Sequence, residues 1–295
     1  MIYVCGMTTT EAFQFVKNQI ESIYDESEAD NIAELIIEHI TIEKKFDRII
    51  QKGKEFSAGD EVQLNQYITR LQKHEPVQYI LNESWFYGLK FYVDKHVLIP
   101  RPETEELVDW ALKETKKSKV PKDRNLKILD IGTGSGCIAV SLKRNLPPAF
   151  EVLACDINEE ALTISRKNAD YAGVFIDFIG LDFLDEKQRE QLPAVDIIIS
   201  NPPYVPLNDK KKMKENVVNY EPHTALFVPD NDPLIFYKAI ANFGKEHLND
   251  GGTVFVELHE DLSNSVIELF KSNGYPATEL RKDMQGKDRM LKAES

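Results

Sequence analysis

Leu126-Lys127-Ile128-Leu129-Asp130-Ile131-Gly132-Thr133-Gly134-Ser135-Gly136 decides the fold. An apolar run of strand length ends in a glycine-rich turn, and Ile138 to Asn145 continues at helical spacing, so the chain passes directly from a strand into a helix. The alternation repeats downstream. Candidate strands Val152 to Asp156, Val174 to Ile179, Val195 to Ser200 and Thr253 to Leu258 are interleaved with candidate helices Glu159 to Ala172 and Pro233 to His247. Short apolar runs between helices predict an α/β fold whose parallel sheet is covered on both faces. Glu279 to Asp283 and Arg289 to Lys292 read as a closing strand pair.

Open α/β sheets bind ligands beyond the carboxyl ends of their strands, so the strand ends carry the chemistry. At the first, Gly132, Gly134 and Gly136, with Thr133 and Ser135 between them, let the backbone approach a ligand and aim amide hydrogens at it. The spacing is not that of the dinucleotide fingerprint GxGxxG, since the third glycine comes one residue early. Asp130, two residues before the first glycine, suits an ammonium and not a pyrophosphate. At the second strand end Asp156 can accept both hydroxyls of a ribose. Beyond the third lies Leu181-Asp182-Phe183, where Asp182 can accept an adenine amino group and Phe183 can pack on its ring.

The fourth strand ends in Asn201-Pro202-Pro203-Tyr204. Two prolines remove two amide donors and fix φ, giving a stiff polar corner. The Asn201 amide oxygen and the Pro202 carbonyl can grip the two hydrogens of a planar NH2 group while the Tyr204 ring stacks on its plane. Such a corner suits alkylation of a weakly nucleophilic nitrogen. The alternative is a Pro-Pro turn that merely closes a buried strand.

Working upstream, Pro76 to Pro100 reads as a β-hairpin linker: Phe86 to Val93, a turn at Asp94-Lys95, then His96 to Ile99. Pro100-Arg101-Pro102 stops it, and Pro102 suits the first position of a helix from Glu103 to about Glu114. Before it, Thr8 to about His74 is helical in pattern, with a Thr8/Glu11 capping box and a third helix expected after a break at Gly59-Asp60. The expected organisation is a helical bundle over 1–75, a linker over 76–101 and an α/β domain over 102–295. The bundle is either a packing extension or a docking surface for a partner.

The 295 residues carry a net charge of −13, which argues against a broad basic surface for phosphate backbones and favours a protein or small-molecule acceptor. Cys5, Cys137 and Cys155 form no CxxC pair, the six histidines form no HExxH, and no metal constellation is read. No leader-like or long apolar segment is read either, so a cytoplasmic protein without a membrane partner is expected.

These strand ends together resemble the class I S-adenosylmethionine-dependent methyltransferases that act on planar nitrogens. More narrowly, Glu75-Pro76-Val77-Gln78-Tyr79-Ile80-Leu81, Phe86-Tyr87-Gly88, Val97 to Glu105 (VLIPRPETE), Tyr220-Glu221-Pro222 and Gln285 to Arg289 resemble the peptide chain release factor glutamine methyltransferases. The resemblance runs from Glu75 to the end. It implies a helical N-terminal domain, a hairpin linker and a Rossmann-like seven-stranded sheet with an antiparallel last strand. It also implies methylation of the glutamine amide in the Gly-Gly-Gln motif of release factors, in support of translation termination, by a cytoplasmic enzyme expected to be a monomer. S-adenosylmethionine would be the donor and S-adenosylhomocysteine the product. Carried over, Asp130, Gly132 to Gly136, Asp156, Asp182, Phe183 and Asn201 hold the donor, and Asn201 to Tyr204 the glutamine, with Asn201, Pro202 and Tyr204 catalytic. Asn82 stands where the family has a glycine, and Asn231-Asp232-Pro233 where it has a glycine-rich loop. The alternative within the resemblance is a nucleic-acid adenine methyltransferase, which shares NPPY but needs a basic groove; a donor-binding regulator that kept the fold is the non-enzyme alternative.

Overall fold

The computed structural model describes residues 6–42, 55–117 and 124–295; Cys5 and part of the predicted helical region, at 43–54, lie outside the described residues. The chain divides into two compact units, Met1–Glu83 with Lys214–Tyr220, and Ser84–Met213 with Glu221–Ser295.

The first unit contains helices α1 (Thr9–Ile20), α2 (Glu26–Thr41), α3 (Ala58–Leu71) and α4 (Val77–Leu81). The predicted capping box opens α1: the Thr8 amide donates to Glu11 at 2.8 Å and the Glu11 amide donates to Thr8 Oγ1 at 3.3 Å. A cap of this kind contributes about 1 kcal/mol. Ala12, Val16 and Ile20 recur every four residues along one face of α1, and they share a buried cluster with Ile32, Ile36 and Ile37 of α2 and Leu64, Ile68 and Leu71 of α3. Gly59-Asp60 does not precede the third helix but lies inside it. Ser57 and Asp60 form a second reciprocal cap, at 2.9 and 3.2 Å, which starts the helix at Ala58.

Helix α4 falls within the predicted linker yet belongs to the helical unit, because Val77, Ile80 and Leu81 join its cluster. Arg70 ties this turn down through the Glu75 carboxylate and the carbonyls of Tyr79 and Ile80. Asn82 ends α4 in the left-handed conformation, φ 54°, which asparagine tolerates better than most residues. The helical turn Glu215–Tyr220 completes the unit: the Tyr220 hydroxyl donates to the Lys73 carbonyl at 2.6 Å, and the Lys214 ammonium lies 3.6 Å from Glu28.

The second unit opens with a hairpin, β1 (Ser84–Phe86) and β2 (Leu89–Phe91), in which Phe86 pairs with Leu89. Its turn is Tyr87-Gly88, not the expected Asp94-Lys95. Positive φ at both turn residues, 50° and 73°, makes a two-residue primed turn whose twist matches that of the strands. His96 to Ile99 is no strand either. Its amides turn to local and side-chain acceptors, His96 donating to the Asp94 carboxylate at 2.9 Å, Val97 to the Asp94 carbonyl at 3.1 Å and Ile99 to the buried Glu221 at 3.2 Å, with Arg101 pairing with Glu221 at 2.6 Å.

Helix α5 (Pro102–Thr115) leads to the main sheet, whose strands are β3 (Leu126–Ile131), β4 (Phe150–Asp156), β5 (Asp177–Gly180), β6 (Val195–Ser200), β9 (Leu248–Glu257), β10 (Ala277–Lys282) and β11 (Asp288–Glu294). Between β6 and β9 a small parallel pair forms from β7 (Val205–Pro206) and β8 (Phe227–Val228). The order across the main sheet is β10-β11-β9-β6-β3-β4-β5. The pairs β6–β9, β3–β6, β3–β4 and β4–β5 are parallel, while β11 runs antiparallel to both neighbours. This is the Rossmann-like seven-stranded order that the resemblance implies, with its last strand reversed. Four consecutive buried residues close both β3 and β6, the pattern of strands covered on both faces. Edge-to-face pairs Trp110–Phe255 and Phe183–Phe243, with centroids 5.5 and 5.4 Å apart, stiffen the core. Asp196 clamps the amino ends of three strands. It accepts two bonds from Arg124, at 2.8 and 2.6 Å, one from the Lys127 amide of β3 and one from Asn249 of β9.

The strand-to-helix turn fits only glycine at its end. Gly136, with φ 79°, caps α6 (Cys137–Asn145), and a Cβ there would sit 2.9 Å from the Ser165 Cβ on α7 (Glu159–Ala172). Gly136→Ala is therefore expected to destabilise by about 2–4 kcal/mol, the left-handed backbone and the overpacking together. Gly134→Ala, left-handed but in open space, should lose only about 1–2 kcal/mol. Denaturant unfolding of both variants checks the order, and equal losses would refute the packing argument.

Candidate active site

The carboxyl ends of β3, β4 and β6, with the segment after β5, surround a cavity of about 330 Å³ in the second unit. Gly132, Gly134, Asp156, Asp182, Phe183, Asn201, Pro202 and Pro203 line it, as do Leu181 and Ser200. Eight predicted site residues thus meet in one space. His96-Val97-Leu98 and Phe227 close it from other segments. The walls are mainly apolar, with a few polar groups at the strand ends, the composition of a site that fixes a ligand's orientation.

Asp156 is held for this position. The Gly134 amide donates to one of its carboxylate oxygens and the Asn158 amide to the other, both at 2.9 Å. Burial raises its pKa, and the amide hydrogens of Asn158, Gly134 and Ile157 oppose that rise. Positive φ at Gly132 and Gly134 leaves the loop backbone open to a ligand, with no Cβ on the inner turn. Phe183 presents its ring to the cavity while its edge-to-face contact with Phe243 anchors it in the core. Asp182 spends one oxygen on the Leu184 amide at 2.9 Å.

The remaining predicted residues stand behind the cavity. Thr133 Oγ1 donates to Asp130 at 2.7 Å, the Ser135 carbonyl accepts from Asn168 at 2.8 Å, and Gly136 packs against Ser165. Asp130 is fully buried. Its Oδ2 also accepts the Ala139 amide at 3.2 Å, whereas Oδ1 has no hydrogen-bond partner among the described residues. Burial pushes the Asp130 carboxyl up to about 7, against the pull of Thr133 and Ala139. An orphaned carboxylate oxygen beneath the glycine turn, a ribose-sized carboxylate at Asp156 and apolar walls fit a nucleoside that carries an ammonium.

Tyr204 does not line the cavity. Its hydroxyl donates to Glu257 Oε1 at 3.1 Å, and its ring packs edge-on against His259 at 6.0 Å. Glu257, at the carboxyl end of β9 and 1% exposed, also accepts from Thr104 Oγ1 at 2.6 Å, and Thr104 accepts in turn from Asn201 Nδ2 at 2.9 Å. Burial raises the Glu257 pKa, while Thr104, Tyr204 and the Arg289 charge act to lower it. The sequence reading missed Thr104 and Glu257. A carboxylate inside Thr253-Val254-Phe255-Val256-Glu257-Leu258 is the signal that could have found one of them, since an acid in a buried strand needs partners. Cys137 and Cys155 are both buried, and burial pushes the Cys137 thiol up to about 12 and raises that of Cys155 too, so neither of these two is poised as a nucleophile.

Residues 116–222 match the family model described as Methyltransferase small domain, and residues 11–81 match PrmC N-terminal domain. A release factor glutamine methyltransferase of Flavobacterium psychrophilum is 44% identical over 282 residues, 95% of this chain and 96% of that protein. A protein of the same name from Bacteroides thetaiotaomicron is 41% identical over 279 residues, 95% of this chain and 97% of its own length.

A buried acid with a raised pKa makes stability depend on pH. Between about pH 4 and pH 7 the folded Asp130 keeps a proton that the unfolded chain has released, so this group's contribution to stability falls as pH rises across that window. Asp130→Asn, which cannot ionise, should gain on the parent protein by up to about 1.4 kcal/mol per pH unit there. Unfolding free energies at pH 5, 6 and 7 check this, and a constant difference would refute it.

Proposed function

This chain belongs to the release factor glutamine methyltransferase family, and we propose that it methylates the side-chain amide nitrogen of the glutamine in the Gly-Gly-Gln motif of peptide chain release factors. The observation that carries the reading is the meeting of Asn201-Pro202-Pro203 with Gly134, Asp156 and Phe183 on the wall of one cavity. S-adenosylmethionine, the donor, supplies a methyl group made electrophilic by its sulfonium, and leaves as S-adenosylhomocysteine.

Each strand end then has a role. Asp156 takes the ribose hydroxyls, Phe183 and Asp182 the adenine, the glycine turn gives close backbone approach, and Asp130 attracts the ammonium from beneath it. Asn201 Oδ1 and the Pro202 carbonyl accept the two hydrogens of the glutamine NH2. An amide lone pair is delocalised into its carbonyl, so positive charge develops on nitrogen as the new bond forms. Two acceptors placed beforehand favour that charge, and more so in the transition state than in the ground state. The proton passes to water after transfer, and no strong base is needed at this corner. Tyr204 contributes by holding the corner through Glu257. An adenine in nucleic acid presents a similar NH2, but a net charge of −13 opposes the phosphate contacts it requires. The setting that suits this reaction is the cytoplasm; among the described residues no helix is long and apolar enough to cross a membrane.

The helical unit is proposed to dock the protein substrate, because one inserted glutamine offers too few contacts to select a protein among many. Leu35, Ile42 and Val62 are exposed apolar residues on that unit.

Three experiments test these readings. Labelled methyl should pass to a purified release factor and not to the same factor carrying Gly-Gly-Ala, and Asp156→Ala should weaken donor binding at least about tenfold, 1.4 kcal/mol. Label found in adenine of added DNA would overturn the acceptor assignment. For docking, acidic replacements at Leu35, Ile42 and Val62 should raise KM for the intact factor about tenfold while leaving kcat/KM for a short Gly-Gly-Gln peptide unchanged. Equal effects on both substrates would refute the docking role.

A further inference from the structure

Among the polar groups at the corner, the chain Asn201–Thr104–Glu257 has one consistent direction of hydrogen bonding, from the Asn201 amide to Thr104 and from Thr104 to Glu257. Thr104 is 2% exposed and has a single hydroxyl hydrogen. That hydrogen is donated to Glu257 Oε2, 2.6 Å away. Thr104 Oγ1 is then left as an acceptor toward Asn201, and only the NH2 end of the Asn201 amide can meet it, at 2.9 Å. The second oxygen of Glu257 is taken by the Tyr204 hydroxyl at 3.1 Å, and the Tyr237 hydroxyl fixes the backbone carbonyl of Glu257 at 3.0 Å. The carboxylate cannot turn away.

The consequence falls on the other end of the Asn201 amide. An asparagine side chain has two nearly isosteric faces, and a 180° turn exchanges an acceptor for a donor with no change of shape. With nitrogen committed to Thr104, oxygen is the atom offered to an incoming acceptor group. The geometry points to Thr104, held by Glu257, as a positioning residue that selects a substrate bearing NH2 over its carboxylate isostere by fixing which way the Asn201 amide faces. This inference rests on the assignment of glutamine as acceptor. A glutamine side chain donates to the fixed oxygen, whereas a glutamate, acceptor-only when ionised, meets it lone pair to lone pair. Packing alone would not discriminate between two side chains of equal volume.

Thr104→Val keeps the shape and removes the hydroxyl, freeing the Asn201 amide to present either end. Three measurements on the full chain test the proposal: donor affinity, kcat for a Gly-Gly-Gln peptide, and the ratio of inhibition constants for Gly-Gly-Glu and Gly-Gly-Gln peptides as competitors against the intact factor. With donor affinity held within about twofold, kcat should fall at least about tenfold, and the inhibition ratio should shrink at least about tenfold toward unity, 1.4 kcal/mol. Thr104→Ser, which restores the hydroxyl, should recover both. Should the valine variant lose donor binding, indicating a folding defect, Thr104→Ala takes its place, since it removes the hydroxyl without adding an apolar branch. A reduced kcat with an unchanged inhibition ratio, or a serine variant no better than valine, overturns the proposal. Failure of the parent protein to methylate the Gly-Gly-Gln peptide would instead strike the acceptor assignment, which separates the two.

Discussion

The register of three parallel strands is the constraint on which this site depends. Ile131 of β3 pairs with Cys155 of β4 on one side and with Ser200 of β6 on the other, so the next residues along each strand, Gly132, Asp156 and Asn201, emerge together at one rim. Side chains alternate faces along a strand, and a slip of one residue would send Asp156 or Asn201 to the opposite side of the sheet. Two polar ties resist the slip. At the carboxyl end the Ser200 hydroxyl donates to the Ile131 carbonyl at 2.7 Å, and at the amino end Asp196 gathers Arg124, Lys127 and Asn249. The Ser200–Ile131 tie is buried and gains strength from the lack of competing water, whereas the Arg124–Asp196 pair faces solvent and counts for less.

Asp130 and Glu257, the two most deeply buried carboxylates described in this unit, differ in how their oxygens are met. Glu257 has a hydroxyl donor on each oxygen, whereas Asp130 has donors on Oδ2 alone. A fully partnered buried acid rigidifies its neighbours; a half-partnered one carries an unmet attraction for positive charge. The first lies behind the acceptor corner and the second beneath the glycine turn.

Features governed by neighbours in the chain were legible in the sequence. The strand ends, the glycine turn, the Thr8 cap and the closing strand pair all depend on short-range spacing, and the structure has them, while the reversal of the last strand was implied by the family resemblance alone. Two local readings went astray where one signal masked another: Gly59 looked like a break although Ser57 already capped the helix, and Asp94-Lys95 looked like a turn although Tyr87-Gly88 supplied the positive φ values that a two-residue hairpin requires. The network behind Asn201 was beyond such reading. Thr104 and Glu257 are separated by 153 positions and meet only because α5 packs against β9, which no periodicity announces.

The helical unit is discontinuous: 130 residues separate Glu83 from its final segment, Lys214–Tyr220. During synthesis the bundle can collapse early around Ile20, Ile36 and Leu64, but it cannot bind the segment that carries Tyr220 until those residues leave the ribosome. At 5–20 residues per second that delay is on the order of ten seconds, long compared with helix formation or hydrophobic collapse. The last contacts of the amino-terminal unit therefore form after β3, β4, β5 and β6 have all been made, so completion of the bundle reports that most of the sheet's parallel strands already exist.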